Sequence, residues 1–172
     1  MPHRLVRIAK DSIRAHLRGE SPPASSNEGV LPWGVFVSLH GPGVGGEEGP
    51  LRGCIGSLHL SEVDLEEEVG RVAVSSATTD PRFPALAAEE VDELHVTVYL
   101  LDPPQIVAGA EDLEPGKYGV IVTGRGGRRG LLLPDLPGID TPDRQLELAL
   151  LKAGLSPGSD VTIERFAAQA VS

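Results

Sequence analysis

Apolar residues fall on every second position at Trp33, Val35, Val37 and Leu39, with Gly34, Phe36, Ser38 and His40 between them. A period of two belongs to a strand that is apolar on at least one face. The next ten residues, 41–50, hold five glycines and two prolines, and a second strand-like stretch, 51–60, follows at once. Strand, glycine-rich break and strand read as a hairpin with an enlarged loop. The same grammar recurs at residues 118–123 and 130–133, around a cationic glycine-rich turn at 124–129. Two hairpins with helices irregularly interspersed favour a mostly antiparallel α+β sheet with flanking helices over a doubly wound parallel one.

The helices announce themselves by spacing and by their ends. Leu5, Ala9, Ile13 and Leu17, with Ile8 beside them, predict an amphipathic first helix stopped by Gly19 and the Pro22-Pro23 pair. Leu65, Val69, Val72 and Ser76 mark a second, with Glu66, Glu67 and Glu68 in the first turn, where the helix dipole favours them. Asp80-Pro81-Arg82-Phe83-Pro84 breaks it. Leu94, Val96, Val98 and Leu100 form another alternating strand, ended by Asp102-Pro103-Pro104. Thr141 is a suitable N-cap, Pro142 a suitable first residue and Gly154 a suitable stop for a third helix, and Val161, Ile163 and Phe166 lie on a last strand. No repeat or linker divides residues 1–172, which read as one domain. A chain of 172 residues buries enough surface to need no disulfide or metal staple.

Composition removes several function classes. A formal charge of −10 at pH 7 speaks against nucleic acid as a partner, because phosphates need a basic face. The charge is uneven: Arg4, Arg7, Lys10, Arg14 and Arg18 crowd the start, while acids gather at 62–68 and 89–93. Such runs are ordinarily solvated faces, and the other reading is a docking surface for a basic partner. No apolar run approaches the roughly 20 residues of a membrane span, and the first segment lacks the apolar core of a secretory signal. The expected location is therefore the cytoplasm, with no membrane partner. A single cysteine rules out an intrachain disulfide and multi-cysteine metal patterns, and the histidines at 3, 16, 40, 59 and 95 show no ligand spacing. No metal or other cofactor is expected. Glycine-rich phosphate loops and nucleophile elbows are absent as well.

Two clusters remain. In Leu51-Arg52-Gly53-Cys54-Ile55-Gly56, paired glycines inside a strand mark a bulge or a place where another backbone or a ligand comes close. Residues two apart on a regular strand share a face, so Arg52 and Cys54 can present a thiolate beside a cation. Against this, a lone cysteine is more often a small buried hydrophobe. A hairpin pairing Val37 with Cys54 puts the thiol on the side of Val35 and Leu39 and buries it, and a slip of one residue reverses that. Asp80-Pro81-Arg82-Phe83 is the second cluster. Either Asp80 and Arg82 form an ion pair or Arg82 holds a carboxylate or phosphate, or the segment is a turn whose Phe83 anchors it to the core.

These clusters stand in an order that points to a family. The hexapeptide at 51–56 is followed by Asp80-x-Arg82-Phe83, Glu93-Leu94-x-Val96-x-Val98, Gly116-x-Tyr118-Gly119-Val120, Leu132-Leu133-Pro134 and Lys152-Ala153-Gly154-Leu155. Together they resemble the AMME chromosomal region family, whose bacterial and archaeal members are called AmmeMemoRadiSam system protein A. The resemblance implies an α+β fold of a larger and a smaller subdomain around a cleft, with the hexapeptide near it. It also implies a genomic setting beside a Memo-like protein and a radical SAM protein. The chain departs from the family where Asp135-Leu136 replaces the usual Gln-Val pair, the tryptophan after it is missing, and the 41–50 loop is long. The expected function is the A component of such a system, a binding or adaptor protein whose small anionic ligand meets Arg52, Gly53, Gly56 and Arg82. The alternative is an enzyme with Cys54 as nucleophile or covalent acceptor and with Asp80 or His59 transferring the proton.

Overall fold

A computed structural model describes residues 3–25, 31–44, 48–58, 60, 62 and 64–172. In chain order its elements are α1 (Arg4–Arg18), β1 (Gly34–Pro42), β2 (Glu48–Ser57), α2 (Leu65–Thr78), β3 (His95–Leu101), β4 (Gln105–Val107), β5 (Gly119–Gly124), β6 (Arg129–Leu132), α3 (Pro142–Lys152), β7 (Val161–Phe166) and β8 (Ala168–Val171). Short 3-10 turns occupy Ala88–Glu93, Ala110–Asp112 and Arg125–Gly127. The fold is α+β with antiparallel hairpins, and the strands form two four-stranded sheets. The chain divides into two compact units, Met1–Leu100 with Gln169–Ser172, and Leu101–Ala168.

The first unit carries the sheet β2-β1-β3-β8, in which β2 is an edge strand. Val35, Val37 and Leu39 are fully buried in one core with Ala9 and Ile13 of α1, Val69, Val72 and Ala73 of α2, and Val96 and Val98 of β3. Each valine, leucine or isoleucine among them contributes about 1.5–3 kcal/mol by leaving water. Gly19, at φ +68°, closes α1 by returning its amide to Ala15 and His16, in the left-handed conformation that glycine adopts at little cost. Asp64 caps α2 by accepting from the amides of Glu66 and Glu67. The uneven charge of the sequence resolves inside this unit. Arg4 pairs with Glu66 at 2.5 Å, Arg14 with Asp92 at 2.6 Å, and Lys10 donates to the Asp92 carbonyl. The basic face of α1 thus answers both acidic runs.

In the second unit the sheet order is β4-β7-β5-β6. The β5–β6 hairpin forms as its alternation predicts, pairing Val122 with Gly130, and β7 runs antiparallel to both β4 and β5. Thr141 caps α3 by accepting the Arg144 amide. Val120, Val122, Ala149, Leu150 and Leu155 make the core. Neither β4 nor β8 is foreshadowed in the sequence, because three or four residues are too few to show a period.

Candidate functional site

The β1–β2 register decides what the hexapeptide presents. Val37 pairs with Ile55, and Cys54 pairs with Ser38, one residue away from the Val37–Cys54 pairing considered above. Cross-strand partners share a face, so the half-buried Cys54 stands with Ser38 on the face turned away from Val35, Val37 and Leu39. The expected regular alternation also fails at Arg52. Leu39 faces Gly53 and His40 faces Leu51, which leaves Arg52 as the extra residue of a bulge. Arg52 reaches instead to Glu90, with Nε and Nη2 at 3.1 and 2.8 Å from Oε1. Glu90 Oε2 accepts the Ala87 amide at 2.8 Å, and these bonds, the amide's first, hold its carboxyl below the usual range.

Helix α2 settles on the hairpin through Ser76. Its hydroxyl accepts from the Ile55 amide at 3.0 Å and donates to the Val37 carbonyl at 2.9 Å, tying the helix to both strands. A Cβ on Gly53 would lie 2.1 Å from the Ser76 carbonyl oxygen, and one on Gly56 would lie 2.1 Å from the Phe36 ring. Both glycines are therefore places of close approach, and the protein's own helix and ring occupy the space a side chain would take.

The segment after α2 folds back onto the outer edge of β2. The Asp80 carboxylate, 2% exposed, accepts from the Cys54 amide at 2.9 Å through Oδ2. Through Oδ1 it accepts from the Arg82 amide at 3.1 Å and Arg82 Nε at 3.0 Å, and Arg82 Nη2 adds a bond to Oδ2 at 2.7 Å. The same Nη2 donates to the Cys54 carbonyl at 3.2 Å. The guanidinium lies 5.3 Å from the Phe83 ring centroid. Hydrogen bonding to Arg82, above all, holds the Asp80 carboxyl far below the usual carboxylate range despite its burial. The ion pair and a local Asp turn occur together here; Phe83 is half-buried, and the buried Leu86 ties the segment to α2, its amide donating to the Ala77 carbonyl at 2.9 Å.

The structure thus gathers Cys54, Asp80 and Arg82 into one hydrogen-bonded cluster, while Arg52 turns to Glu90. His59 lies outside the described residues. The cation bonded to Cys54 is Arg82, through the backbone carbonyl, while Arg52, to which the two-residue spacing pointed, is held by Glu90. Arg82 Nη1 takes part in none of these bonds, and the side chain is 53% exposed. Sequence reasoning gave Ser76 only a place on a helix stripe and Glu90 only one in an acidic run, because their contacts with Ile55 and Arg52 are set by register and packing rather than by local pattern. A separate cavity of about 480 Å³ lies between α1 and α2, lined by Ile8, Ser12, His16, Gly70 and Val74 among others, and none of the hexapeptide residues reaches it. No described helix is long and apolar enough to cross a membrane. Among the described residues no three His, Cys, Asp or Glu side chains gather as a ligand set for a metal.

Comparison with known proteins gives a consistent picture. The sequence pattern of the AMMECR1 family matches residues 6–171. A Thermotoga maritima protein is 46% identical over 134 residues, which is 77% of this chain and 74% of that one. Protein TK0174 of Thermococcus kodakarensis is 36% identical, over 96% of this chain and 86% of its own. Protein CA_C1420 of Clostridium acetobutylicum is 40% identical over 94% of this chain, which spans only 34% of that protein's length. The crystal structure of the uncharacterised protein PH0010 from Pyrococcus horikoshii superposes with a TM-score of 0.82 at 33% identity, covering 96% of this chain and 88% of PH0010.

Proposed function

Because the chain belongs to the AMMECR1 family, we propose that it is the binding component of an AmmeMemoRadiSam-type modification pathway, working with a radical SAM protein and a Memo-like protein. The surface that does the binding is the face of the β1–β2 hairpin that carries Cys54. The observation that supports this reading is the fixing of the Cys54 backbone, whose amide and carbonyl are both held by the Asp80–Arg82 pair. A site held this way loses little freedom on binding, which is the condition for a tight contact. Its chemistry suits a small anionic group: Arg82 keeps Nη1 outside its internal bonds, and a guanidinium favours planar carboxylate or phosphate recognition.

The test is retention of partners and ligand by the full chain. Purification beside the radical SAM and Memo-like proteins, with mass spectrometry of small molecules carried along, is expected to yield a complex or a bound anion. Arg82→Lys is expected to weaken that binding about tenfold, roughly the loss of one charge-assisted hydrogen bond. Retention of neither partner nor anion overturns the proposal. A second reading, in which Cys54 is a covalent acceptor, is favoured by one observation: Cys54 is half-buried rather than sealed in the core.

A further inference from the structure

The cavity between α1 and α2 lies wholly within the first unit, and the binding reading does not use it. At about 480 Å³ it has the size of a small-molecule site, and clefts between helices commonly serve as one. Ile8, Pro23 and Val74 contribute apolar lining. Glu20, Glu62, Glu66 and Glu67 line it too, and Arg71 is the one lysine or arginine that does. Arg71 is engaged by Glu68, with Nε 3.1 Å from Oε2 and Nη2 2.5 Å from Oε1, and Glu66 pairs with Arg4. Glu62 steadies the Arg71 charge only from beyond bonding distance. Among the described residues, no ion pair or hydrogen bond takes up the carboxylates of Glu20, Glu62 and Glu67. The site is acidic on balance.

Ser12 supplies an independent observation. It is 4% exposed and lines the cavity one turn beyond Ile8. Among the described residues nothing hydrogen-bonds its hydroxyl. Its Oγ faces α2, where a Cβ on Gly70 would lie 2.5 Å from it. A buried hydroxyl without a partner costs free energy, and alanine suits a helix better than serine. A ligand that hydrogen-bonds there removes the cost.

We propose that this cavity binds a small aliphatic polyamine. Carboxylates set around an apolar lining call for positive charges spaced along a hydrocarbon, and that is the chemistry of a polyamine. Its methylene stretches lie against Ile8, Pro23 and Val74, and its ammonium groups meet Glu20, Glu62 and Glu67. One ammonium hydrogen donates to Ser12 Oγ. An inorganic cation gains nothing from the apolar lining and gives up its own water reluctantly. A basic segment of a partner protein shares the charge, but a concave pocket of this volume favours a small molecule over a chain. The site is separate from the Arg82 surface and stands whether or not that surface binds an anion.

Calorimetric titration of the full chain with spermidine tests this, at low salt where screening is weak. Saturation at one site is expected. The double variant Glu62→Gln/Glu67→Gln should weaken binding about tenfold or more. Glu89→Gln/Glu93→Gln removes two exposed acids outside the cavity and should leave binding unchanged. Ser12→Ala separates a ligand contact from a structural role. The thermal midpoint of the free protein should hold or rise, while spermidine binding falls about tenfold, the loss of one hydrogen bond to a charged group. Equal weakening by the two acid pairs, or full binding by Ser12→Ala, means diffuse attraction to an acidic protein and overturns the site. Absence of binding at millimolar spermidine overturns it as well. An oligolysine peptide that binds more tightly than spermidine, and loses binding in the same variants, would assign the cavity to a partner's basic segment and overturn the small-molecule reading.

Discussion

The carboxylate of Asp80 lies 2.9 Å from the amide nitrogen of Cys54, a residue twenty-six positions earlier in the chain. Its partner Arg82 completes the contact by donating to the Cys54 carbonyl. One Asp-Pro-Arg segment thus satisfies both backbone polar atoms of a single residue on a strand that, among the described residues, has no strand neighbour on that side.

Asp80→Asn keeps an acceptor for Cys54 but removes the charge that binds Arg82. Urea denaturation at pH 7 should show a loss of about 1–3 kcal/mol, toward the lower end because the guanidinium is half-exposed and screened. The pH dependence has a definite sign. The folded carboxyl is depressed below its unfolded value, so its contribution is complete above the ordinary aspartate range, about pH 4. It fades as pH falls from there toward the folded value. Native protein should lose stability in that acid window more steeply than Asp80→Asn, and equal slopes would contradict the assignment.

A double-mutant cycle separates the two members of the pair. Asp80→Ala and Arg82→Ala should be non-additive by about 1–2 kcal/mol, since each alone strands the other. Additive effects in the urea midpoint would mean that the two side chains hold Cys54 independently.

Gly53→Ala should destabilise the protein by about 1–3 kcal/mol or more, because the new methyl meets the Ser76 backbone carbonyl, which moves only if α2 moves. Gly116 provides the control: a Cβ there meets nothing within 4 Å, and Gly116→Ala should leave the thermal midpoint unchanged or slightly raised. Equal effects at the two positions would remove the close approach as the reason for glycine at 53.

Asp64 accepts from two amides at the start of α2 and from the Ser25 hydroxyl. Asp64→Ala should cost about 1 kcal/mol in chemical denaturation, the ordinary worth of an N-cap. Asp64→Asn should recover most of it.

The parts legible in the sequence are those fixed by neighbours along the chain. Helix ends at Gly19 and Thr141 and the alternation of Val35, Val37 and Leu39 follow from local sterics and from the period of two, and they appear where expected. Register is different, because it is a relation between strands. The face on which Cys54 lies turned on whether it paired with Val37 or Ser38, and nothing in either strand alone decides that. The bulge at Arg52 likewise needs β1 beside it to exist, and it sends Arg52 to Glu90 instead of to Cys54. Asp80 and Arg82 were recognisable as an unusual pair, yet their grip on Cys54 depends on α2 delivering them to the edge of β2.

An edge strand leaves a row of unused amides and carbonyls, to which a strand from another molecule can add and begin a growing ladder. At Cys54 that invitation is withdrawn. Any foreign strand seeking to pair with this residue must first pull apart a carboxylate and a guanidinium 2.7 Å from one another. Two side chains stand where a fifth strand would lie, and they end the sheet at its most unusual sequence.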